Sequence, residues 1–257
     1  MGDQLSTVVK TLRVLEAFSY AQPVLGVSEL ARKLDMGKSS VHRALTTLHE
    51  HGYVVKTPDD RYRLGLKLHE MGQLVVSGIR LHEVAHEFLD RLRHQTSETV
   101  HLAVLDKTEV VYIDRLEAAD AMRMFSKIGR RMPVHTTSSG KCLAAFGSEQ
   151  LIDEVAAQGF PRRAPRTITN ASMFREVLDQ VRIDGFAVSI EESEKGSASV
   201  GAPIFGRDGS CIAAVSLVGS ILRLSDERLP RYVTQVRRCA REISEAMGYT
   251  GSARSKP

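Results

Sequence analysis

The sequence predicts an α+β protein: an N-terminal winged helix-turn-helix, a linker helix and a C-terminal domain of helices on an antiparallel sheet. Three observations carry this. Between Val27 and Gly52, two runs of apolar residues at helical spacing flank a break at Asp35-Met36-Gly37. A strand–turn–strand pattern follows at once, from Tyr53 to Leu64. Beyond residue 81, amphipathic helices alternate with β-rich runs, and sequence neighbours among the strands are joined by hairpin turns.

Before the motif, Ser6 to Phe18 places Val8, Val9, Leu12, Leu15 and Phe18 at helical intervals, with Ser6 the expected N-cap. This helix is predicted to pack behind the motif and to help a dimer form. In the first motif helix Val27, Leu30, Ala31 and Leu34 share one face, and Gly37 is expected to free the backbone for the turn. The second helix turns Val41, Ala44, Leu45 and Leu48 inward. Lys38, Ser39, Ser40, His42, Arg43 and Thr46 are left outside, toward its N-terminal half. A recognition helix entering a major groove carries its contacting side chains there.

Tyr53–Lys56 and Arg61–Leu64 read as strands about the turn Thr57-Pro58-Asp59-Asp60. They form a basic wing, with Arg61 and Arg63 expected near its tip and within reach of a minor groove or phosphates. Helix, turn, helix and wing together imply a reader of double-stranded DNA, against the alternative of a helical hairpin packed by the same stripe.

Gly65 to Arg80 (Leu66, Leu68, Met71, Leu74, Val75, Ile79) reads as a helix, with no Pro/Gly-rich break. The expected domains are 5–66 for the winged helix, 67–80 for the linker and 81–249 for the second domain, with 250–257 a tail. In the second domain Leu81 to Arg93 is amphipathic. Strands are expected at Val100–Leu105, Val110–Leu116 and Ala121–Ile128, and helices at Ser139–Phe146, Ser148–Gln158 and Asn170–Asp184. Three further strands are expected at Gly185–Glu191, Ser199–Phe205 and Cys211–Gly219, the last two joined by an Asp208-Gly209 turn, before a closing helix from Ser225 to Met247.

Composition bounds the rest. At 257 residues and 42% hydrophobic, the chain can bury the cores of two domains. Net charge is +4, and residues 1–80 hold 11 Lys/Arg against 8 Asp/Glu, so most of the excess lies with the expected DNA reader. No apolar run approaches a membrane span, and Met1-Gly2-Asp3-Gln4 begins no signal peptide; no membrane partner is expected. Cys142, Cys211 and Cys239 lack paired or metal-type spacing, which fits structural thiols in a reducing cytoplasm.

Several patterns point to other chemistry. His82-Glu83-Val84-Ala85-His86 matches H-E-x-x-H, which can hold zinc with the glutamate as general base. No third ligand is evident in the sequence, so a metal-dependent hydrolase with an accessory winged helix stands only as the alternative. Ser138-Ser139-Gly140-Lys141 matches S-x-x-K without the companion S-D-N and K-T-G motifs. His101 and His135 read as structural, and Arg237, Arg238 and Arg241 as a solvated face or an oligomer contact. No catalytic residue, metal or cofactor is expected.

Several motifs occur together: Val27-Ser28-Glu29-Leu30-Ala31, Lys38-Ser39-Ser40-Val41-His42-Arg43, Tyr62-Arg63-Leu64-Gly65, Gly129 to His135, Ser139-Gly140-Lys141 and Gly185-Phe186-Ala187-Val188. With them the chain resembles the IclR family of bacterial transcription regulators over about residues 5 to 249. The resemblance implies a C-terminal GAF-like effector-binding domain, and a homodimer or dimer of dimers on operator DNA. It also implies a pocket for a small organic or aromatic acid between the sheet and the Ser-Gly-Lys segment. The matching positions are Met124, Ser138, Ser139, Ser189, Ser199, Ser216 and Val218. Ser138 and Ser139 stand at a predicted helix start, where free N–H groups favour a carboxylate; the alternative is that they cap the helix. Many members carry an acidic residue at the position of Ser189, often a cysteine at that of Ser199, and a serine at that of Val218. The implied pocket is therefore less acidic and more apolar at one wall, which points to a larger or more apolar acid.

Overall fold

The computed structural model describes residues 5–77, 80–118 and 128–251. The chain divides into two compact units at residues 78–79. The first runs α1 (Ser6–Glu16), β1 (Val24–Leu25), α2 (Val27–Leu34), α3 (Lys38–Glu50), β2 (Val54–Lys56), β3 (Tyr62–Leu64) and α4 (Leu66–Ser77). Val14, Leu30, Val41, Leu45 and Val54 are fully buried at its centre. Each such side chain contributes roughly 1.5–3 kcal/mol of apolar burial.

The turn between α2 and α3 is built differently from the expectation. Asp35, not Gly37, takes the left-handed conformation, with φ 53°, and the Met36 N–H donates to the Ala31 carbonyl at 2.9 Å. Aspartate is among the few side chains that tolerate this region. Gly37 is extended (φ −63°, ψ 137°) and is the N-cap of α3. At the head of α2, the Glu29 carboxylate folds back to accept the Gly26 N–H at 2.7 Å.

Two other expectations are corrected. The N-cap of α1 is Leu5, with Ser6 already helical. Of its apolar stripe only Leu15 and Phe18 turn inward, beside Val14; Val8, Val9 and Leu12 are exposed. The wing sheet has a third strand in the order β1-β3-β2, all antiparallel. At two residues β1 is too short for an alternating pattern to reveal it. The helix α4 packs with this unit: the Tyr53 hydroxyl donates to Met71 Sδ at 3.2 Å, and Gly65 presses against the Gly52 carbonyl where a Cβ would overlap.

The second unit holds α5 (Arg80–Thr96), β4 (Thr99–Asp106), β5 (Glu109–Leu116), β6 (Arg131–Pro133), α6 (Ser138–Ala145), α7 (Glu149–Gln158), α8 (Ala171–Asp184), β7 (Ala187–Ile190), β8 (Ser197–Phe205), β9 (Cys211–Ser220) and α9 (Leu229–Ala246). Its strands pair antiparallel in the order β6-β5-β4-β9-β8-β7. The α+β class is the one the sequence predicts. Strand side chains alternate between faces. Val200, Ala202 and Ile204 of β8, with Val215 and Leu217 of β9, join Leu89 of α5 and Val236 and Ile243 of α9 in one core. Ala103 of β4 and Ala214 of β9 face a second core built from α6, α7 and α8.

The predicted strand Ala121–Ile128 lies outside the described residues except for Ile128, which is in a turn; the unpredicted β6 follows it. The last helix begins at Leu229 rather than Ser225, with Pro230 in its first turn, where a missing N–H removes no helical bond. Cys142 and Cys239 are buried and Cys211 partly so, and burial pushes the Cys211 and Cys239 thiols up to about 12. Among the described residues no helix is long and apolar enough to cross a membrane.

Candidate functional site

Two regions concentrate the sequence-predicted site residues. In the first unit, Val41, Ala44, Leu45 and Leu48 anchor α3 while Lys38, Ser39, Ser40, His42 and Arg43 are all exposed along its outer face. Thr46 is half-buried, its hydroxyl donating to the His42 carbonyl at 3.0 Å. Arg63 is exposed on β3. Arg61 is placed differently. Its guanidinium donates to Glu29 Oε2 at 2.8 Å and to the Val24 carbonyl at 3.0 Å, tying the wing to α2 and β1. The Gly26 N–H and then Arg61 hold the Glu29 carboxyl below its usual range.

In the second unit a cavity of about 40 Å³ lies where the N-terminus of α6 meets the sheet. Ser138, Ser139, Ser189, Ser199, Ser216 and Val218 all line it; Met124 lies outside the described residues. Sheet register brings the strand residues together: Ser189 is opposite Ser199, Ser199 opposite Val218, and Ser216 opposite both Gly201 and His101. Gly201 admits the end of α6, because a Cβ there would stand 3.0 Å from the Ser138 carbonyl carbon and 3.1 Å from the Ser139 nitrogen.

The serines do not cap α6. Thr137 does, its hydroxyl oxygen accepting the Gly140 N–H at 3.0 Å. Ser138 donates to the Ser199 hydroxyl at 2.9 Å, Ser139 to the Ser216 hydroxyl at 2.8 Å, and Ser189 to the Thr136 carbonyl at 3.0 Å. The backbone N–H groups of Ser138 and Ser139, at the positive end of the helix, have no hydrogen-bond partner among the described residues.

Sequence reasoning missed the charged and ring-bearing members of this cavity. Arg130 lines it half-buried; its backbone carbonyl accepts the Tyr112 N–H at 3.4 Å, while its guanidinium makes no hydrogen bond or ion pair to any described residue. It stands inside the Gly129–His135 motif, which was the available signal. Glu194 and Ser193 come from the loop after β7, and Tyr112, Met132, Thr136 and Thr137 complete the wall. His101, expected to be structural, also lines the cavity. Its Nε2 is buried without a partner among the described residues, and its ring lies 4.5 Å from that of Tyr112. Burial, with Arg115 nearby, pushes its imidazole down to about 3, so it is neutral at physiological pH. His135 instead packs on Phe160 and contacts the Pro161 carbonyl.

Hydroxyls dominate this lining, and Val218, Met132 and Tyr112 are its apolar exceptions. The S-x-x-K lysine is not beside a nucleophile: Lys141 Nζ bonds Glu192 Oε1 at 2.6 Å and the Val188 carbonyl at 2.8 Å.

Residues 7–58 match the IclR helix-turn-helix domain, and residues 73–245 match the C-terminal domain of bacterial transcriptional regulator IclR. The chain belongs to the IclR family. It is 36% identical over 249 residues to the HTH-type transcriptional regulator KdgR of Escherichia coli (strain K12), covering 96% of this chain and 94% of that protein. Its fold is similar to the crystal structure of the Thermotoga maritima IclR, with TM-score 0.80 and 33% identity over 96% of this chain and all (100%) of the other. It is also similar to an IclR homologue from Microbacterium hydrocarbonoxydans complexed with 4-hydroxybenzoate, with TM-score 0.85 and 28% identity over 94% and 99% of the two chains. As an IclR-type protein, the chain is a ligand-responsive, DNA-binding transcriptional regulator and not an enzyme.

Proposed function

We propose that this regulator reads a palindromic operator as a dimer and is set by a small hydrophilic carboxylic acid bound in the α6 cavity. Lys38, Ser39, Ser40, His42 and Arg43 enter the major groove, and Arg63 contacts the backbone or minor groove. Arg61 supports the wing from within. The exposed Val8, Val9 and Leu12 on α1 give a second copy an apolar face to cover, which supports the homodimer; a dimer of dimers is the larger form this reading allows. On this reading the protein acts in the cytoplasm, beside its operator DNA.

The observation that carries the effector assignment is Arg130, whose guanidinium has no hydrogen-bond or ion-pair partner among the described residues, in the cavity that Ser138 and Ser139 line at the N-terminus of α6. Together they can meet a carboxylate with charge-assisted hydrogen bonds. The serine and threonine hydroxyls, His101 Nε2 and Glu194 suit hydroxyl or keto groups on the rest of the ligand. An aromatic acid, as in the Microbacterium homologue, finds fewer apolar partners here.

Titration of the full chain with a panel of hydroxy-, keto- and aromatic acids, read by calorimetry and by fluorescence anisotropy on DNA from its own promoter region, tests both halves. Arg130→Gln and Ser139→Ala should retain salt-sensitive operator binding and lose most of the effector response. An unchanged response in Arg130→Gln, or binding only of aromatic acids, overturns the effector assignment. Absence of salt-sensitive, sequence-selective binding to that DNA overturns the operator assignment.

A further inference from the structure

The first two turns of α5 and the middle of β5 meet at three side chains that the α6 cavity does not use. His82 and His86 are four residues apart on α5 and so share one face of the helix. Opposite them stands Asp114 of β5, with its side chain 6% exposed. The sequence pattern H-E-x-x-H showed no third ligand; the fold supplies one, 28 residues after His86.

The geometry is directed at one point. Asp114 Oδ1 accepts the Arg115 N–H at 2.7 Å, which fixes the carboxylate plane. The other oxygen, Oδ2, lies 2.9 Å from His86 Nδ1 and 3.4 Å from His82 Nε2. One nitrogen from each histidine and one carboxylate oxygen lie within 4.8 Å of one another. A cation bonded at about 2.0–2.2 Å in tetrahedral geometry sets its ligand atoms roughly 3.3 Å apart. The two distances bracket that spacing, and His86, half exposed, is free to adjust.

We propose that His82, His86 and Asp114 form a site for a divalent transition-metal ion of the zinc type. Two imidazoles and a carboxylate suit Zn²⁺, Co²⁺ or Ni²⁺ better than Ca²⁺ or Mg²⁺, which take all-oxygen sets. The backbone bond to Asp114 Oδ1 does the orienting that a second layer of groups does in metal sites. Three protein ligands leave at least one coordination position to water. Glu83 is exposed and outside the cluster, so the pattern serves binding here and not hydrolysis. The ion pins the start of α5 to β5, inside the second unit and just after the domain junction in sequence.

The test uses the full chain without a histidine tag, stripped with a chelator and then titrated with Zn²⁺ by calorimetry and with Co²⁺ by absorption. One ion per chain, a raised Tm and a visible Co²⁺ band are expected. His86→Ala should weaken the affinity at least about tenfold, the scale on which even orienting groups act, while its metal-free Tm stays with that of the metal-free wild type. Asp114→Asn keeps an acceptor for the Arg115 N–H and should also lose the band. Zn²⁺ binding no tighter in the wild type than in His86→Ala, or a Co²⁺ band surviving in both variants, overturns the proposal.

Discussion

Lys141 Nζ sits 2.6 Å from Glu192 Oε1 with both side chains largely withdrawn from water, 2% and 13% exposed. Burial pushes the lysine down and the glutamic acid up, and each charge opposes the shift of the other. Glu192 lies in the turn that carries Ser193 and Glu194 to the cavity, so the pair anchors one wall of the α6 cavity. Lys141→Met should cost about 3–5 kcal/mol, because it strands a buried carboxyl group. The double change Lys141→Met with Glu192→Leu should recover most of that loss. Denaturant titration of both variants measures it; equal losses in the single and double variants would sink the account.

Gly140 is a packing requirement rather than a source of flexibility. A Cβ at this position would overlap the Val134 carbonyl and crowd the Thr137 hydroxyl that caps α6. Gly140→Ala should therefore destabilise by about 1–3 kcal/mol despite its better helix propensity. A denaturation midpoint at or above that of the wild type would show that the segment has room.

Arg43 and Arg61 should separate cleanly. Arg43→Ala removes an exposed side chain from α3 and should weaken operator binding by about 1–3 kcal/mol while relaxing one base preference, with no change in stability. Arg61→Ala removes a half-exposed pair with Glu29 and should cost little stability, because solvent screens such a pair. Its effect on DNA should be uniform across operator sequences. Anisotropy on operators changed one base pair at a time distinguishes the two patterns.

His101 makes stability depend on pH. Unfolded, the imidazole takes a proton below its ordinary value of 6.5; folded, it does so only near 3. Between those values the unfolded chain binds more protons, so His101 lowers stability as pH falls, by up to about 1.4 kcal/mol per pH unit. His101→Gln removes that slope. Denaturation free energies of the variant and wild type should diverge from about pH 6 down to about pH 4, in favour of the variant. His135, also held low by burial, is common to both and cancels. Parallel curves would place His101 in a wetter site.

Much of the molecule was legible because its signals are local. The stripe Val41-Ala44-Leu45-Leu48 and the polar face beside it follow from the 3.6-residue period, and α3 buries and exposes those residues accordingly. Asp35 was misread because both it and Gly37 can open a turn, and the choice depends on how α2 and α3 pack. The pairing of Arg61 went unseen because its carboxylate partner lies 32 residues earlier. Arg130 was in view but unassigned, since only its neighbours in the fold make it a cavity cation.

By itself the sequence determined the classes of element, the exposed polar face of α3 and six residues that come to line one cavity. Periodicity and turn chemistry act within a few residues, and the motifs carry them. Tertiary structure alone decided which distant side chains meet. Ser139 reaches Ser216 across 77 positions and Ser138 reaches Ser199 across 61, because strand order and register bring β8 and β9 beneath α6. The same closure gives His82 and His86 their carboxylate. Such contacts form when apolar cores on both faces of one sheet hold the strands in register, and no local pattern records them.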